Sequence, residues 1–584
     1  MSRTSTGTKR HLARAQRQRA MTVWAMAVVV LLLAVAGCAT IPTDGPVGKS
    51  DPLSPRDNSV NIDFQQFGPV DGAAQESIIR GFIESGTGIS DDFQVARQYL
   101  TPGLAQSWAP DKRTVIYKDT FSAKPGTEKD SFVLTLDVLS TVDADGVRTP
   151  AAEGATTSVE VKMVLVAGQW RISETPDGLL LTEATFQTLF SPVSLYFYDP
   201  TFTYGVPDVR WLASRTSRTA TAIVRTMLNG PAPYLQGAVV SAFPSGIALE
   251  RDSVPVNNGV AKVGLTAQPL LETSVAQRQQ MHTQLLMTFQ KSLNTITELQ
   301  LLADDREVDM GGADQAVLPM IIDRPVSATQ IALAKNELVT YDGTKIAPIA
   351  NMPSVAGLLP SAPAMSYSGN NFAFLSGAGN QIYSVSPGKQ PTVAVAGNSL
   401  TAPSFAPNGW VWTAAGDGSG EVVAINPDDG GTMGKPVILT VPWLVGQTVT
   451  TLRISRDGAR ALVISQANGV STVNITGIFK SGDVPKELTD PIAIAHSGTA
   501  TLGVWAGEST LAVMAPSAAD LVTVEFLDLV RSPLQLDPLK GVQWLSAGSG
   551  VRNVHAQTAT EIFSNVGNHW EVAAKELRQA SFSG

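Results

Sequence analysis

The sequence predicts a multidomain chain: an α+β N-terminal domain, a second α+β domain and an all-β C-terminal propeller of five or six blades. Three observations lead there. An apolar run near the N-terminus closes on the single cysteine of the chain, Cys38, and is followed by a stretch with no sustained period. Helical spacing gives way to strand alternation twice between residues 73 and 325. From residue 326 onward, short strands, frequent Gly, Pro and Asn, and a loose repeat replace any helical pattern.

The N-terminal run is laid out as a secretory signal. Arg3, Lys9, Arg10, Arg14, Arg17 and Arg19 come first with no acidic residue, then an apolar core from about Thr22 to Ala36. That core offers roughly 15 apolar residues where a spanning helix needs about 20, and Pro42, Gly45 and Pro46 stop a helix rather than extend it. Val35-Ala36-Gly37-Cys38 resembles the bacterial lipobox. The resemblance implies that small Ala36 and Gly37 let a peptidase approach the backbone and that the Cys38 thiol receives a thioether-linked lipid. The resemblance implies that Cys38 becomes the new N-terminus, S-diacylglycerol- and N-palmitoyl-modified, and anchors the chain to the extracytoplasmic face of the cell membrane. Each buried methylene contributes about 0.8 kcal/mol, so two or three acyl chains hold where one is marginal. Residues 1–37 are expected as signal peptide and 38–72 as a lipidated N-terminus and flexible tether. The 33 residues from Ala39 to Asp71 span roughly 30 Å as free chain. An arm packed along the next domain through Val60, Ile62, Phe64 and Phe67 is the alternative.

At 584 residues and 43% hydrophobic content there is room for about three or four domains. No cysteine follows Cys38, so the exported part forms no internal disulfide and relies on packing. The formal charge is -9; without the six basic residues before Cys38, 36 Lys+Arg face 51 Asp+Glu, a charge of -15. That balance argues against nucleic acid as a partner and against adhesion to anionic lipid by bulk charge, which leaves membrane contact to the lipid.

Residues 73–190 read as an α+β domain. Ala74, Ile78, Ile79, Phe82 and Ile83 repeat at helical spacing and stop at Gly86; Phe93, Ala96 and Leu100 share one face of a second short helix after Asp91-Asp92. Strands follow at Arg113 to Lys118, Phe132 to Leu139 and Ser158 to Val166, and Ala167-Gly168 turns into Trp170-Arg171-Ile172 as a hairpin ending the sheet. Helices before a meandering sheet suggest a cystatin-like cone. Asp143-Ala144-Asp145-Gly146 invites a calcium reading, but an EF-hand in that register puts Thr141 and Ala152 at its end positions; an Asp-Gly hairpin turn fits better.

Residues 191–325 begin with the strand Val193 to Tyr198. Ala220, Ile223, Val224, Met227 and Leu228 form the face of a helix stopped by Asn229-Gly230-Pro231. Strands at Ser253 to Val256 and Val260 to Leu265, a helix with Leu285, Phe289, Leu293 and Ile296 on one face, and a strand at Glu298 to Leu302 complete it. Tyr196-Phe197, Leu228-x-Gly230-Pro231, Phe243-Pro244-x-Gly246, Gly259-Val260-Ala261-x-Val263 and the Gln284 to Phe289 helix together look like the GerMN module of envelope and spore proteins. None of them supplies a catalytic set; core and turn roles account for them.

In residues 326–584 the segments Met365 to Phe374, Pro403 to Trp412 and Leu452 to Leu462 align, with weaker copies at Gly503 to Ala512 and at Val542 to Val554. Their anchors at 367, 405, 454, 505 and 544 stand 38 to 51 residues apart, the length of a four-stranded blade whose polar tetrad turns between its first two strands. Ile331 to Ile349 forms a sixth blade or closes the ring with C-terminal strands such as Ile562 to Ser564; stacked β-sandwiches are the alternative.

Reactive constellations are sparse. His282, His496, His555 and His569 show no metal-ligand spacing, and no nucleophile elbow, P-loop or dinucleotide fingerprint occurs. Ser386-Pro387-Gly388-Lys389 matches Ser-x-x-Lys only inside a turn, and Asp428-Asp429 reads as a hairpin tip rather than a glycosidase pair. No metal or cofactor is expected, and no enzymatic activity. From Cys38 onward, the order of lipobox, α+β domain, GerMN-like module and propeller resembles the LpqB family of actinobacterial lipoproteins. That resemblance implies an accessory role beside the MtrA–MtrB two-component system, through the extracytoplasmic part of an MtrB-like sensor kinase, in envelope growth and division. Cys38 is the one functional residue it carries over. A peptidoglycan-binding protein is the alternative, a glycan hydrolase the remote one.

Overall fold

The computed structural model describes residues 66–213, 219–428, 430–517 and 520–584. Val35, Ala36, Gly37 and Cys38, with the rest of residues 1–65, lie outside the described residues.

The helix Gln75–Glu84 turns Ile78, Ile79, Phe82 and Ile83 inward, as their spacing requires, and Trp108 meets the edges of Phe82 and Phe93 at 5.2 and 6.0 Å between ring centroids. The second helix is a single turn, Gln94–Arg97, because Phe93 takes the left-handed conformation and cannot extend it. The hairpin Thr156–Val166 and Gln169–Glu174 forms one edge of a six-stranded sheet but does not end it. The chain returns to the opposite edge, where Leu179–Thr182 runs parallel to Arg113–Pro125. This strand escaped the sequence reading because its partner is remote in sequence. Asp143 to Gly146 is a hairpin turn: the Asp143 carboxylate accepts the amides of Asp145 and Val147 at 3.0 and 2.8 Å.

The next part opens with two antiparallel strands, Phe190–Tyr198 and Gly205–Ala213. The second was not anticipated, since Pro207, Asp208 and Arg210 mask its pattern. It is nevertheless the strand that joins two cores. Trp211 enters the apolar cluster of the N-terminal domain, while Val206 enters that of the following module. Asp208 and Arg210, 0% and 2% exposed, pair in a fork at 2.8 Å for both bonds. Arg210 also donates to the Asp145 carbonyl at 2.7 Å, the Ala232 amide donates to Asp208 at 2.8 Å, and the Trp211 amide reaches the Gly146 carbonyl at 2.7 Å. The approach is so close that a Cβ on Gly146, at φ +82°, would lie 2.9 Å from the Trp211 carbonyl oxygen. Burial works against the Arg210 charge, but the bonds and charge of Asp208 more than offset it and hold its pKa above the ordinary value.

The helices Thr219–Asn229 and Val275–Ser292 and a four-stranded sheet complete this module. Ser274 caps the long helix by accepting from the Gln277 amide at 3.1 Å. The helix ends before Leu293 and Ile296, although Ile296 is still buried in the turn beyond it. Of the strand expected at Ser253 to Val256 only Val256–Asn257 is paired.

Beyond it, six sheets of at least four strands form the propeller among the described residues. Each repeat copy sits on an inner hairpin, and the same backbone bond recurs at its turn: Ser366 to Asn371, Ala406 to Trp410, Ser455 to Arg460, Ala506 to Thr510 and Gly548 to Asn553, at 2.8–2.9 Å. Gln330–Ala334, Glu337–Tyr341 and Ile346–Pro348 make the first blade, and its innermost strand is Arg578–Ser581 from the far end of the chain. Ile562 to Ser564 therefore does not close the ring. It belongs to the strand Glu561–Val566 inside the sixth blade.

Arg210→Met leaves a buried carboxylate without its partner, and a loss of about 3–5 kcal/mol in unfolding free energy is expected, read as a lower urea midpoint. Adding Asp208→Asn should restore part of that loss, because the amide oxygen still accepts from Ala232.

Candidate functional site

Two regions gather polar side chains where a partner or ligand could use them: the seam between the second module and the propeller, and the channel enclosed by the inner strands.

At the seam one apolar cluster runs without interruption from Tyr196, Phe197, Leu285 and Phe289 into Leu462, Ile464, Ile475 and Leu511 of the propeller. Charges are set into it in pairs. Arg460 and Asp457 meet at 2.6 Å with both side chains buried, and the Arg460 guanidinium lies 4.9 Å over Trp505 and donates to the Glu508 carbonyl. The Glu508 carboxylate accepts from the Tyr196 hydroxyl at 2.9 Å and faces Lys291 at 3.7 Å. Burial, then the Glu508 charge, drives the Tyr196 pKa far up, so this hydroxyl stays a donor. Thr489 donates to the Tyr234 carbonyl at 2.5 Å, while the Tyr234 hydroxyl is buried with no partner.

The channel is lined by all six blades, and its cavity measures about 50 Å³. Arg456 closes one side: it pairs with Asp323 at 3.0 Å and donates to the carbonyls of Trp505 and Gly548 at 3.2 and 2.6 Å. Arg324 lies 4.7 Å over Tyr367. Arg453 reaches into the cavity, donates to the Pro403 carbonyl at 2.7 Å and lies 5.6 Å over the Trp544 ring. In the N-terminal domain a separate cavity of about 130 Å³ is walled by Phe82, Ile83, Trp108 and Leu179.

Residues weighed for chemistry are held in structural contacts. His282 faces the Leu299 carbonyl at 3.1 Å, His496 faces Ser471 at 3.2 Å, and His569 bonds Asp537. Ser386 and Lys389 are paired across a tight turn, with Lys389 3.6 Å from Asp428. Among the described residues no group of three His, Cys, Asp or Glu could hold a metal, and no helix is long and apolar enough to cross a membrane. Arg453, Arg456 and Arg460 of the seam and channel lie within one copy of the repeat, Leu452 to Leu462. Their signal was available: counted back two residues from the turn bond, the copies read Ala364, Ser404, Arg453, Val504 and Ser546. Four are small or aliphatic and one is a cation.

An α+β domain, a GerMN-type module and a six-bladed propeller packed in series define a composite multidomain architecture, and comparison with known proteins agrees part by part. Residues 68–187 match the model described as Lipoprotein LpqB, N-terminal domain, residues 194–309 the Germane model described as sporulation and spore germination, and residues 336–580 the Lipoprotein LpqB beta-propeller domain. Lipoprotein LpqB of Rhodococcus opacus is 26% identical over 87% of this chain and 87% of its own length. That of Bifidobacterium longum is 27% identical over 79% and 78%, and that of Nocardia farcinica 24% over 94% and 96%. The chain belongs to the LpqB family of lipoproteins. Among solved structures it overlaps TolB from Acinetobacter baumannii over 44% of this chain and 66% of that one, at 15% identity and a TM-score of 0.32.

Tyr196→Phe removes a hydrogen bond to a charged group, and a loss of about 1.5–3 kcal/mol is expected, whereas Tyr234→Phe, which removes an unpartnered hydroxyl, should leave stability unchanged or raised. Thermal melts of the two variants side by side check this.

His555 supplies a pH-dependent contribution. The Gln330 amide nitrogen lies 3.1 Å from its Nδ1 and Phe582 packs 5.4 Å from its ring. Burial lowers its pKa from the ordinary 6.5, so below that value the unfolded chain takes up a proton that the folded chain refuses. The contribution is present above 6.5 and lost as pH falls below it. The stability difference between the unaltered chain and His555→Gln should shrink between about pH 7.5 and pH 5, measured by urea unfolding.

Proposed function

We propose that this LpqB-family lipoprotein is held by its lipidated Cys38 on the extracytoplasmic face of the cell membrane, and acts there, without catalysis, as an accessory of an MtrB-type sensor kinase in envelope growth and division. The observation that carries the reading is the unbroken core across the seam. A propeller fixed to the module beneath it presents its loops in one arrangement, so a partner meets a preorganised surface and little ordering is needed on binding. Family membership and the lipobox support the tethered placement. The acidic charge of the mature chain speaks against nucleic acid. To regulate, the protein must bind one kinase state better than the other.

The same core rules out removing the propeller as a clean test, because the cut exposes Tyr196, Leu285 and their neighbours. The test is calorimetry of the whole mature chain, with Cys38→Ser to remove the anchor, against the extracytoplasmic domain of the kinase. Saturable binding and a changed phosphorylation of the response regulator are expected. Heat with peptidoglycan fragments alone would move the protein to the polymer-binding reading, and silence with the kinase overturns the proposal.

A further inference from the structure

One cation in the channel, Arg453, has no ion pair among the described residues. In five repeat copies the residue two before the turn bond faces the cavity, and four of them, Ala364, Ser404, Val504 and Ser546, are small or aliphatic. The fifth, Arg453, crosses the channel from the fourth blade, bonding a carbonyl of the third and lying over Trp544 of the sixth, which stands opposite the third in the ring. The buried arginines are compensated: Arg210 by Asp208, Arg460 by Asp457 and Arg456 by Asp323. Arg453 is in no ion pair among the described residues and makes one hydrogen bond with its five donors. Burial, offset by no opposing charge, lowers its pKa to about 10. Arg453 keeps part of its surface open to the channel, and a guanidinium partly withdrawn from water with no ion pair is stabilised by a bound anion.

We propose that the propeller channel is a carboxylate-binding site in which Arg453 receives the anion through its free N–H donors, with Ser404 and Ser546 beside it. The size of the cavity selects the ligand class. Its 50 Å³ has room for about three to four water-sized groups, which suits the three heavy atoms of a carboxylate and is tight for a tetrahedral phosphate. Planar carboxylates also match the guanidinium fork. Two sources supply such a group, a free carboxylic acid or the carboxyl end of a peptide. The site stands on the channel geometry alone and does not depend on a kinase partner.

The test is calorimetry on the full-length chain in detergent, with acetate, an N-acetylated tripeptide bearing a free carboxyl end, the same tripeptide as its amide, and inorganic phosphate as probes. Acetate or the tripeptide acid should bind, whichever source the site serves, and the amide should bind at least tenfold more weakly than the acid. Arg453→Gln should weaken the carboxylate at least tenfold, Arg453→Lys by less, and Lys435→Gln on the exposed surface not at all. Acid and amide binding alike, phosphate binding more tightly than either carboxylate, or no heat from any carboxylate overturns the proposal. The acid–amide comparison is made on the unaltered chain, so it decides the matter even if Arg453→Gln fails to fold.

Discussion

The forked pair of Asp208 and Arg210 is the interaction on which the arrangement of the parts depends. Both charges are out of water, and a buried pair is tolerable only when its remaining donors and acceptors are met. Here they are met from different places: the Asp145 carbonyl of the N-terminal domain, and the Gly230 carbonyl and Ala232 amide at the end of the Thr219–Asn229 helix. Displacing any one element leaves a charge short of a partner. A single strand thus fixes the position of the turn before it and the helix after it, and its neighbours Val206 and Trp211 anchor the two cores on either side.

The seam with the propeller follows the same logic with more apolar surface. Leu285 and Phe289 of the long helix and Leu462 and Ile475 of the fourth blade share one cluster, so neither part can bury its face alone. Polar members give that surface a register. Tyr196 reaches Glu508 and Thr489 reaches the Tyr234 carbonyl, bonds that are lost if the two parts slide. Ring closure adds a constraint in sequence: the first blade lacks its inner strand until Arg578–Ser581 arrives, so the wheel is completed by a contact that spans nearly its whole length.

Much of the fold was legible. The helical face of Ile78 to Ile83 and the hairpin turn at Asp143 to Gly146 follow from local patterns, and each repeat copy marks an inner hairpin, because spacing and turn chemistry act over a few residues. The strand Gly205–Ala213 was not legible. A proline and two charges sit where alternation predicts apolar residues, and their burial makes sense only once Asp145, Gly230 and Ala232 surround them. The parallel strand Leu179–Thr182 and the closing strand Arg578–Ser581 escaped for a related reason, since pairing partners far apart in sequence leave no local period. Of the candidate site, the odd cation at Arg453 could be read from the repeat register, but the register itself became certain only with the turn bonds.

The sequence by itself determined the position of the single cysteine at Cys38, the acidic balance and the existence of a bladed domain, because each is a property of composition or of short-range spacing. Tertiary structure alone decided which charges are paired and which is left over, which strands close the ring, and that module and propeller are one packed unit. Those outcomes depend on which distant residues exclude water from one another, and no local pattern in the chain records that.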